Sequence, residues 1–189
     1  MNEAVEKILK NGGVGVLPTD TIYGVVGSAL SRVAVERIYA LRRRNRGKPM
    51  IVLIGSLSDL KKFAVRSTPE VKKVLKKFWP GKTSVILPCA SRKFSYLHRG
   101  TKTLAFRLPA VALATAGRPA PFDIRKLLRE TGPLVAPSAN VQGKPPAKTI
   151  REARKYFGER VDFYLDAGRL AGRRSSLLSI TGDTIKKLR

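Results

Sequence analysis

The sequence predicts an α/β fold built on a mixed β-sheet. Three observations carry this. Apolar runs such as Met50 to Ile54 are continuous rather than alternating, as strands covered on both faces are. Helical and extended patterns are interspersed along the chain instead of being segregated. No internal repeat and no low-complexity segment organises them.

Each element follows from local signals. Ala4, Val5, Ile8 and Leu9 form the apolar face of an N-terminal helix that Asn11-Gly12-Gly13 ends. Val14 to Leu17 reads as a short buried strand. Ser31 is placed to cap a helix with Val33 or Ala34, Ile38 and Leu41 on its buried face, running into Arg42-Arg43-Arg44. Pro49 introduces the strand Met50 to Ile54, and Leu57 to Phe63 and Pro69 to Phe78 read as helices. Ser67-Thr68-Pro69 supplies a cap with proline at the first helical position. Trp79-Pro80-Gly81 turns into a strand from Thr83 to Leu87, and Thr103 to Leu108 reads as another. Phe122 to Arg129 reads as a helix ended near Gly132, Leu134 to Ala136 as a strand, and Pro137 to Pro146 as a loop. Thr149 caps a helix through Phe157, strands follow at 161–165, 175–180 and 184–188, and Thr181-Gly182-Asp183 is the hairpin turn between the last two.

The 189 residues suit one domain, and we expect a single unit over 1–189. No stretch approaches the ~20 apolar residues that span a bilayer, so no membrane association is expected. The mixed-charge start is not a signal peptide. Cys89 is the only cysteine, which excludes an internal disulfide, argues against a cysteine-built metal site and suits a cytoplasmic protein. Lys and Arg number 38 against 13 Asp and Glu, for a net charge of +25. The excess is spread along the chain, at Lys72-Lys73, Lys76-Lys77, Arg92-Lys93, Arg173-Arg174 and Lys186-Lys187. Such charge favours polyanionic partners, tRNA or double-stranded RNA among them, or else reflects a salty or hot cell.

Two familiar motifs fail. Gly81-Lys82-Thr83 resembles the end of a phosphate-binding P-loop, but Lys76 stands where the first glycine is required. Gly13-Val14-Gly15 meets Pro18 where a dinucleotide fingerprint needs its third glycine. His98 is the only histidine, so a Ser-His-Asp or multi-histidine site is not expected. The chemistry must run on hydroxyls, amides and cations, groups that position and neutralise rather than abstract protons.

Four polar segments at strand ends and loops remain: PTDTIYGVVG from Pro18, RRRN from Arg42 with KPM from Lys48, TLAFRLP from Thr103, and PSANVQGKPP from Pro137. With WPGKTS from Trp79, SSLLSI from Ser175 and the closing Leu188-Arg189, their order resembles the TsaC/YrdC family of threonylcarbamoyl-adenylate synthases. The family pattern is approximately PT[ED]TVYGLG, K-x-R-P, WPGP-LT, T-x-A-x-R-x-P and PSAN-x-SG-x-P. The resemblance runs from about Gly12 to Arg189. It implies an open, twisted, mixed sheet flanked by helices, with a large concave basic cavity. It implies the reaction of L-threonine, bicarbonate (or CO2) and ATP to threonylcarbamoyl-AMP, pyrophosphate and water, for modification of adenosine 37 of tRNA. Mg²⁺ is expected with the ATP, and other tRNA-threonylcarbamoylation proteins as partners.

Carried over by position, Thr19, Arg107 and Ser175 are expected to bind threonine, and Arg42, Arg44, Thr103, Ser138, Asn140 and Arg189 the nucleotide. Arg42, Arg44, Ser138 and Asn140 would position and stabilise charge, with no dedicated catalytic base. The chain departs from the pattern at Arg42 (lysine in the family), Asn45 (proline), Arg174 (glutamate) and Leu53 (often histidine), and residues 111–120 look inserted. A non-catalytic RNA-binding protein on the same fold is the alternative. The adenylating domain of hydrogenase maturation factors is a weaker one, because their cysteine-rich fingers have no counterpart here.

Overall fold

The computed structural model describes residues 3–110, 122–181 and 184–188. Helices α1 (Glu3–Lys10), α2 (Arg32–Leu41), α3 (Pro69–Phe78), α4 (Ser95–His98), α5 (Ile124–Thr131) and α6 (Ile150–Phe157) flank one sheet. Its strands are β1 (Val14–Pro18), β2 (Tyr23–Ser28), β3 (Val52–Leu53), β4 (Thr83–Pro88), β5 (Thr103–Arg107), β6 (Leu134–Val135), β7 (Phe163–Tyr164), β8 (Ser176–Thr181) and β9 (Thr184–Lys187). Among the described residues their order is β7-β1-β2-β6-β3-β5-β4-β8-β9. The pairs β1–β7, β3–β5 and β4–β8 are parallel and the others antiparallel, so the sheet is mixed.

Both faces of the sheet are used, which explains the continuous apolar strands. Val14, Val16, Val25, Val52 and Phe106 point to one face, where α2, α6 and the Phe63–Phe94 ring pair pack. Leu17, Val26, Leu53 and Leu134 point to the other, against Val5 and Leu9 of α1 and Ile124, Leu127 and Leu128 of α5. Leu53 therefore serves the core under α5, although the family often carries histidine there.

The caps read from sequence are present. The Ser31 side chain accepts from the backbone N–H of Ala34, Thr68 from Val71 with Pro69 at the helix start, and Thr149 from Glu152. Three expectations are corrected. Leu57–Phe63 is a 3-10 helix, with Asp59 accepting the N–H groups of Gly55 and Ser56 at its start. Only Val52–Leu53 of the apolar run Met50 to Ile54 pairs as a strand. The fifth helix starts at Ile124 rather than Phe122, because the Asp123 carboxylate caps it through Arg125 N–H and Lys126 N–H. Strand β2 and helix α4 have no counterpart in the sequence reading. The tip of the final hairpin and residues 111–120 lie outside the described residues, but β8 and β9 do pair antiparallel.

Candidate active site

A single stretch of sheet face builds the cavity. Strand side chains alternate between faces. In β5, Leu104 and Phe106 enter the main core, while Thr103, Ala105 and Arg107 face the opposite way and line a cavity of about 650 Å³. Ile86 of β4 and Leu177 of β8 share that face and that cavity, between core residues Val85 and Leu87 and beside Leu178. Helices α1 and α5 cover the same face over β1, β2, β3 and β6. Further across, β5, β4 and β8 form the cavity floor. The spacing of T-x-A-x-R is thus the period of a strand read from one side.

Loops complete the walls. The β1–β2 turn brings Thr19 and Thr21, the end of α2 brings Arg42 and Arg44, the loop after β6 brings Ser138 and Asn140, and Ser175 precedes β8. Eight expected site residues, Thr19, Arg42, Arg44, Thr103, Arg107, Ser138, Asn140 and Ser175, line this one cavity. Arg189 lies outside the described residues. The sequence reading did not assign Thr21, Gln142, Lys144 and Arg174, which also line it. Arg42, Arg44, Arg107, Lys144 and Arg174 make the lining strongly cationic, and no carboxylate is among the described lining residues.

The turn that carries Thr19 is closed by its own hydroxyl. Thr19 Oγ1 donates to Ile22 O at 2.7 Å, lies 3.0 Å from Thr21 Oγ1, and accepts from the N–H groups of Thr21 and Ile22. The hydroxyl holds the turn, and the turn lines the cavity. A strap packs against it from outside. A Cβ at Gly172 would run into the carbonyl of Thr21, so only glycine lets the segment leading to Arg174 and Ser175 pass there. Ser175 Oγ lies 3.1 Å from Ser84 Oγ, which fixes the end of the strap to β4. Tyr23 holds the chain before the strap. Its hydroxyl is 2.7 Å from Gly168 O and 3.1 Å from Asp166 Oδ1, and burial pushes its pKa up to about 12.

Arg42 is 3% exposed. Its Nε donates to Asn140 O at 3.0 Å, and its Nη2 donates to Asn140 Oδ1 at 3.1 Å and Ser138 Oγ at 3.3 Å. Nη1 is buried and has no hydrogen-bond partner among the described residues. Burial, then the neighbouring cations Arg44 and Arg174, lower the Arg42 pKa to about 10. The expectation for Ser138 and Asn140 changes accordingly. Ser138 Oγ donates to Asn140 Oδ1 at 2.6 Å, and Asn140 Nδ2 donates to Val141 O and Lys144 O. The Asn140 amide is therefore saturated by its own loop and by Arg42, and it shapes the cavity wall instead of offering free donors. Arg44 similarly spends Nε and Nη2 on the carbonyls of Lys48 and Pro49.

The departures from the family pattern fit one another. The Asn45 N–H donates to Gln142 Oε1 at 2.9 Å, a bond that proline could not make. Gln142 N in turn donates to Arg42 O. A three-pronged guanidinium, an Asn at 45 and Gln142 together stitch the end of α2 to the loop after β6.

Arg107 and Asp20 form the second buried charge site. Arg107 Nη2 lies 3.0 Å from Asp20 Oδ1, with the side chains 4% and 0% exposed. Arg107 Nη1 donates to Thr21 Oγ1 at 3.3 Å, and Ala110 N–H donates to Asp20 Oδ2 at 3.2 Å. Burial raises the Asp20 pKa, with Arg107 acting against it. His98, by contrast, is structural: Nδ1 accepts from Gly100 N–H and Nε2 faces Ser91 O.

Comparison with known proteins agrees with this geometry. The Sua5/YciO/YrdC family model, described as "telomere recombination", matches residues 7–189. The chain is 36% identical over 160 residues to the threonylcarbamoyl-AMP synthase of Methylobacillus flagellatus, covering 84% of this chain and 83% of that one. It is 35% identical over 180 residues to the Bacillus subtilis threonylcarbamoyl-AMP synthase, covering 93% of this chain but only 49% of that one. The crystal structure of P. abyssi Sua5 complexed with L-threonine superposes with a TM-score of 0.81 at 28% identity, over 98% of this chain and 52% of the Sua5 chain. The chain thus spans about half the length of the Bacillus and Pyrococcus relatives. A sheet with these motifs at one cavity, and a family match over nearly its whole length, make this chain a member of the Sua5/YciO/YrdC family.

Proposed function

We propose that the protein is an L-threonylcarbamoyladenylate synthase, a nucleotidyltransferase that joins L-threonine, bicarbonate or CO2, and ATP into threonylcarbamoyl-AMP with release of pyrophosphate, and of water when bicarbonate is the carbon source. One observation carries the reading: residues 19, 42, 44, 103, 107, 138, 140 and 175 meet at a single cationic cavity. The threonine amine attacks the carbon of bicarbonate with loss of water, or that of CO2 with loss of a proton, to form a carbamate. A carbamate oxygen then attacks the α-phosphorus of ATP, and pyrophosphate leaves. Such a step calls for placement, neutralisation of phosphate charge and exclusion of water, because carbamate and mixed anhydride are both labile.

In this reading Thr19, Arg107 and Ser175 form the amino-acid end. A planar guanidinium suits a carboxylate. Arg42, Arg44 and Thr103 form the nucleotide end, where the unsatisfied Nη1 of Arg42 is a ready donor to phosphate, and Ser138 and Asn140 hold the wall that aims it. Mg²⁺ would come on the phosphate oxygens as part of the substrate. The described residues contain no group of three metal-ligating side chains, and the lining supplies no carboxylate.

The product would serve adenosine 37 of tRNA through other threonylcarbamoylation proteins. Exposed Lys72, Lys73, Lys76 and Lys77 on α3 and Lys186 and Lys187 on β9 are consistent with contact to tRNA or double-stranded RNA. Cytoplasmic residence fits a single, buried, free Cys89, and among the described residues no helix is long and apolar enough to cross a membrane. The test is pyrophosphate release from ATP and bicarbonate, with and without L-threonine. Release that requires all three supports the synthase. Threonine-independent release, or none, overturns it.

A further inference from the structure

Asp20 is a fully buried carboxylate that the proposed chemistry does not use. It sits in the turn that lines the cavity, yet it is not itself part of the lining. Four groups surround it. Arg107 of β5 approaches Oδ1 at 3.0 Å, the Ala110 N–H donates to Oδ2 at 3.2 Å, the Asp20 backbone N–H and the Lys82 cation before β4 also act on it. The arginine it faces does line the cavity, and the same arginine donates through Nη1 to Thr21 Oγ1. Thr21 Oγ1 is in turn 3.0 Å from Thr19 Oγ1, the hydroxyl that closes the turn. One short turn thus meets the guanidinium at two points, by an ion pair to a carboxylate whose Oδ1 has no hydrogen-bond partner among the described residues, and by a hydrogen bond to a hydroxyl.

We infer that Asp20 is the positioning residue of the amino-acid end: its carboxylate holds the Arg107 guanidinium in the one orientation that meets a ligand carboxylate in the cavity. This rests on the reading of that end as the threonine subsite. An arginine side chain has several rotatable bonds, and a buried guanidinium without a tether would sample orientations that place its fork out of plane with the ligand. Asp20 removes that freedom before the ligand arrives, and a preorganised receptor binds more tightly than one that must be ordered on binding. The pair also makes the empty subsite neutral. Only a ligand group that competes geometrically for the guanidinium, a planar carboxylate, gains from entering it. The corresponding amide offers the fork one accepting oxygen in place of two and sets its NH2 donor against a donor, so it is held less well.

The first measurement is independent of catalysis. Side-chain ¹⁵N spectra of the ligand-free protein report hindered rotation of a guanidinium held at two points. Arg107 is assigned by loss of its signals in Arg107→Lys. Separate Nη signals are expected in the parent protein and a collapsed, averaged signal in Asp20→Asn. Collapse already in the parent, or no change in Asp20→Asn, refutes the tether, whatever the protein catalyses.

The second measurement is kinetic. Asp20→Asn is expected to raise the KM for L-threonine by about ten-fold with a much smaller change in kcat and in the KM for ATP, as loss of a binding-only contribution does. It should also narrow the preference for L-threonine over L-threoninamide, and Asp20→Glu, which keeps the carboxylate, should recover most of both. A parallel rise in both KM values would mean a structural role and overturn the inference, as would an unchanged threonine KM. Absence of threonine-dependent pyrophosphate release in the parent protein would instead defeat the synthase reading, and the spectra would still decide the tether.

Discussion

Two buried arginines stand in one cavity under opposite electrostatic conditions. Arg107 faces a carboxylate 3.0 Å away, and its charge is balanced before any ligand arrives. Arg42 is equally buried but is held only by neutral oxygens, those of Ser138 and Asn140, with two further cations nearby. A desolvated charge is costly unless it is paired. At Arg107 the fold supplies the pair. At Arg42 it does not, which leaves that charge and its spare Nη1 donor to be satisfied by something anionic from outside. In the proposed reading this difference separates the two ends of the cavity: one would read a single small carboxylate by geometry, and the other would attract a polyanion by charge.

The largest expected effect breaks the paired end. Arg107→Ala strands Asp20 as a buried anion, and losing one partner of such a pair typically costs about 3–5 kcal/mol. Chemical denaturation should show a loss of that order at neutral pH. Threonine binding, read by calorimetry, should weaken by roughly 2–5 kcal/mol in the same variant, because a desolvated carboxylate loses its partner. The double substitution Arg107→Met with Asp20→Asn should recover much of the stability and none of the threonine affinity. Full stability in Arg107→Ala would show that Asp20 is compensated elsewhere and that the two sites are more alike than their geometry says.

The unpaired end should respond in the reverse way. Arg42→Ala leaves no orphaned anion, so the fold should change by less than about 1 kcal/mol, since lost hydrogen bonds are offset by relief of a buried charge. Pyrophosphate release should nevertheless fall by about 10²–10³, the cost of removing a preorganised donor from a developing charge. Arg42→Lys should fall between. A compact ammonium cannot reach Asn140 O, Asn140 Oδ1 and Ser138 Oγ from one plane while keeping a donor for phosphate. Its KM for ATP should rise a few-fold with the fold intact. A gain in activity for Arg42→Lys would show that the guanidinium is poorly matched to the cavity.

Much of this contrast was legible in the sequence and part of it was not. The ordered motifs placed eight residues that converge on the cavity, because each motif marks a strand end or a tight loop whose neighbours in the sheet are set by topology. The helix caps were legible for the same local reason. What the motifs could not convey is how hydrogen bonds are divided. That Arg42 gives two of its nitrogens to the loop of Asn140 depends on contacts across 96 to 98 residues, and that Asn140 Nδ2 is spent on Val141 O and Lys144 O depends on how that loop folds back on itself. Strand β2 was missed because Tyr23-Gly24-Val25-Val26-Gly27 carries two glycines and follows a polar turn. Both glycines allow close packing, Gly27 against Ile38 and Ala34 of α2 and Gly24 against Thr19. The 3-10 geometry of Leu57–Phe63 was hidden because its apolar spacing alone suits either helix.

The smallest effect is a difference in pH dependence, and it separates the two arginines most cleanly. Among the described residues, the only acid facing either arginine is Asp20, on the Arg107 side. Burial raises its folded-state pKa above 3.8, against the lowering influence of Arg107, Ala110 N–H and Lys82. A carboxyl with a raised folded pKa holds its proton in the fold after the unfolded chain has lost it. Its contribution to stability is therefore fully present below pH 3.8 and declines as pH rises through the folded value. In Arg107→Ala the strongest of the lowering influences is gone, so the folded pKa climbs further and the window widens toward neutrality. The destabilisation of Arg107→Ala should accordingly shrink as pH is lowered from 7 into the mildly acidic range, as Asp20 takes up its proton and ceases to be a stranded charge. Arg42→Ala should show no such relief, because no carboxylate among the described residues faces Arg42. The measurement is denaturation at a series of pH values for the parent and both variants, read as the difference from the parent so that the remaining carboxyls cancel. An equal pH trend in the two variants would mean that Asp20 is already protonated beside Arg107, and the paired end of the cavity would then hold a hydrogen bond rather than an ion pair.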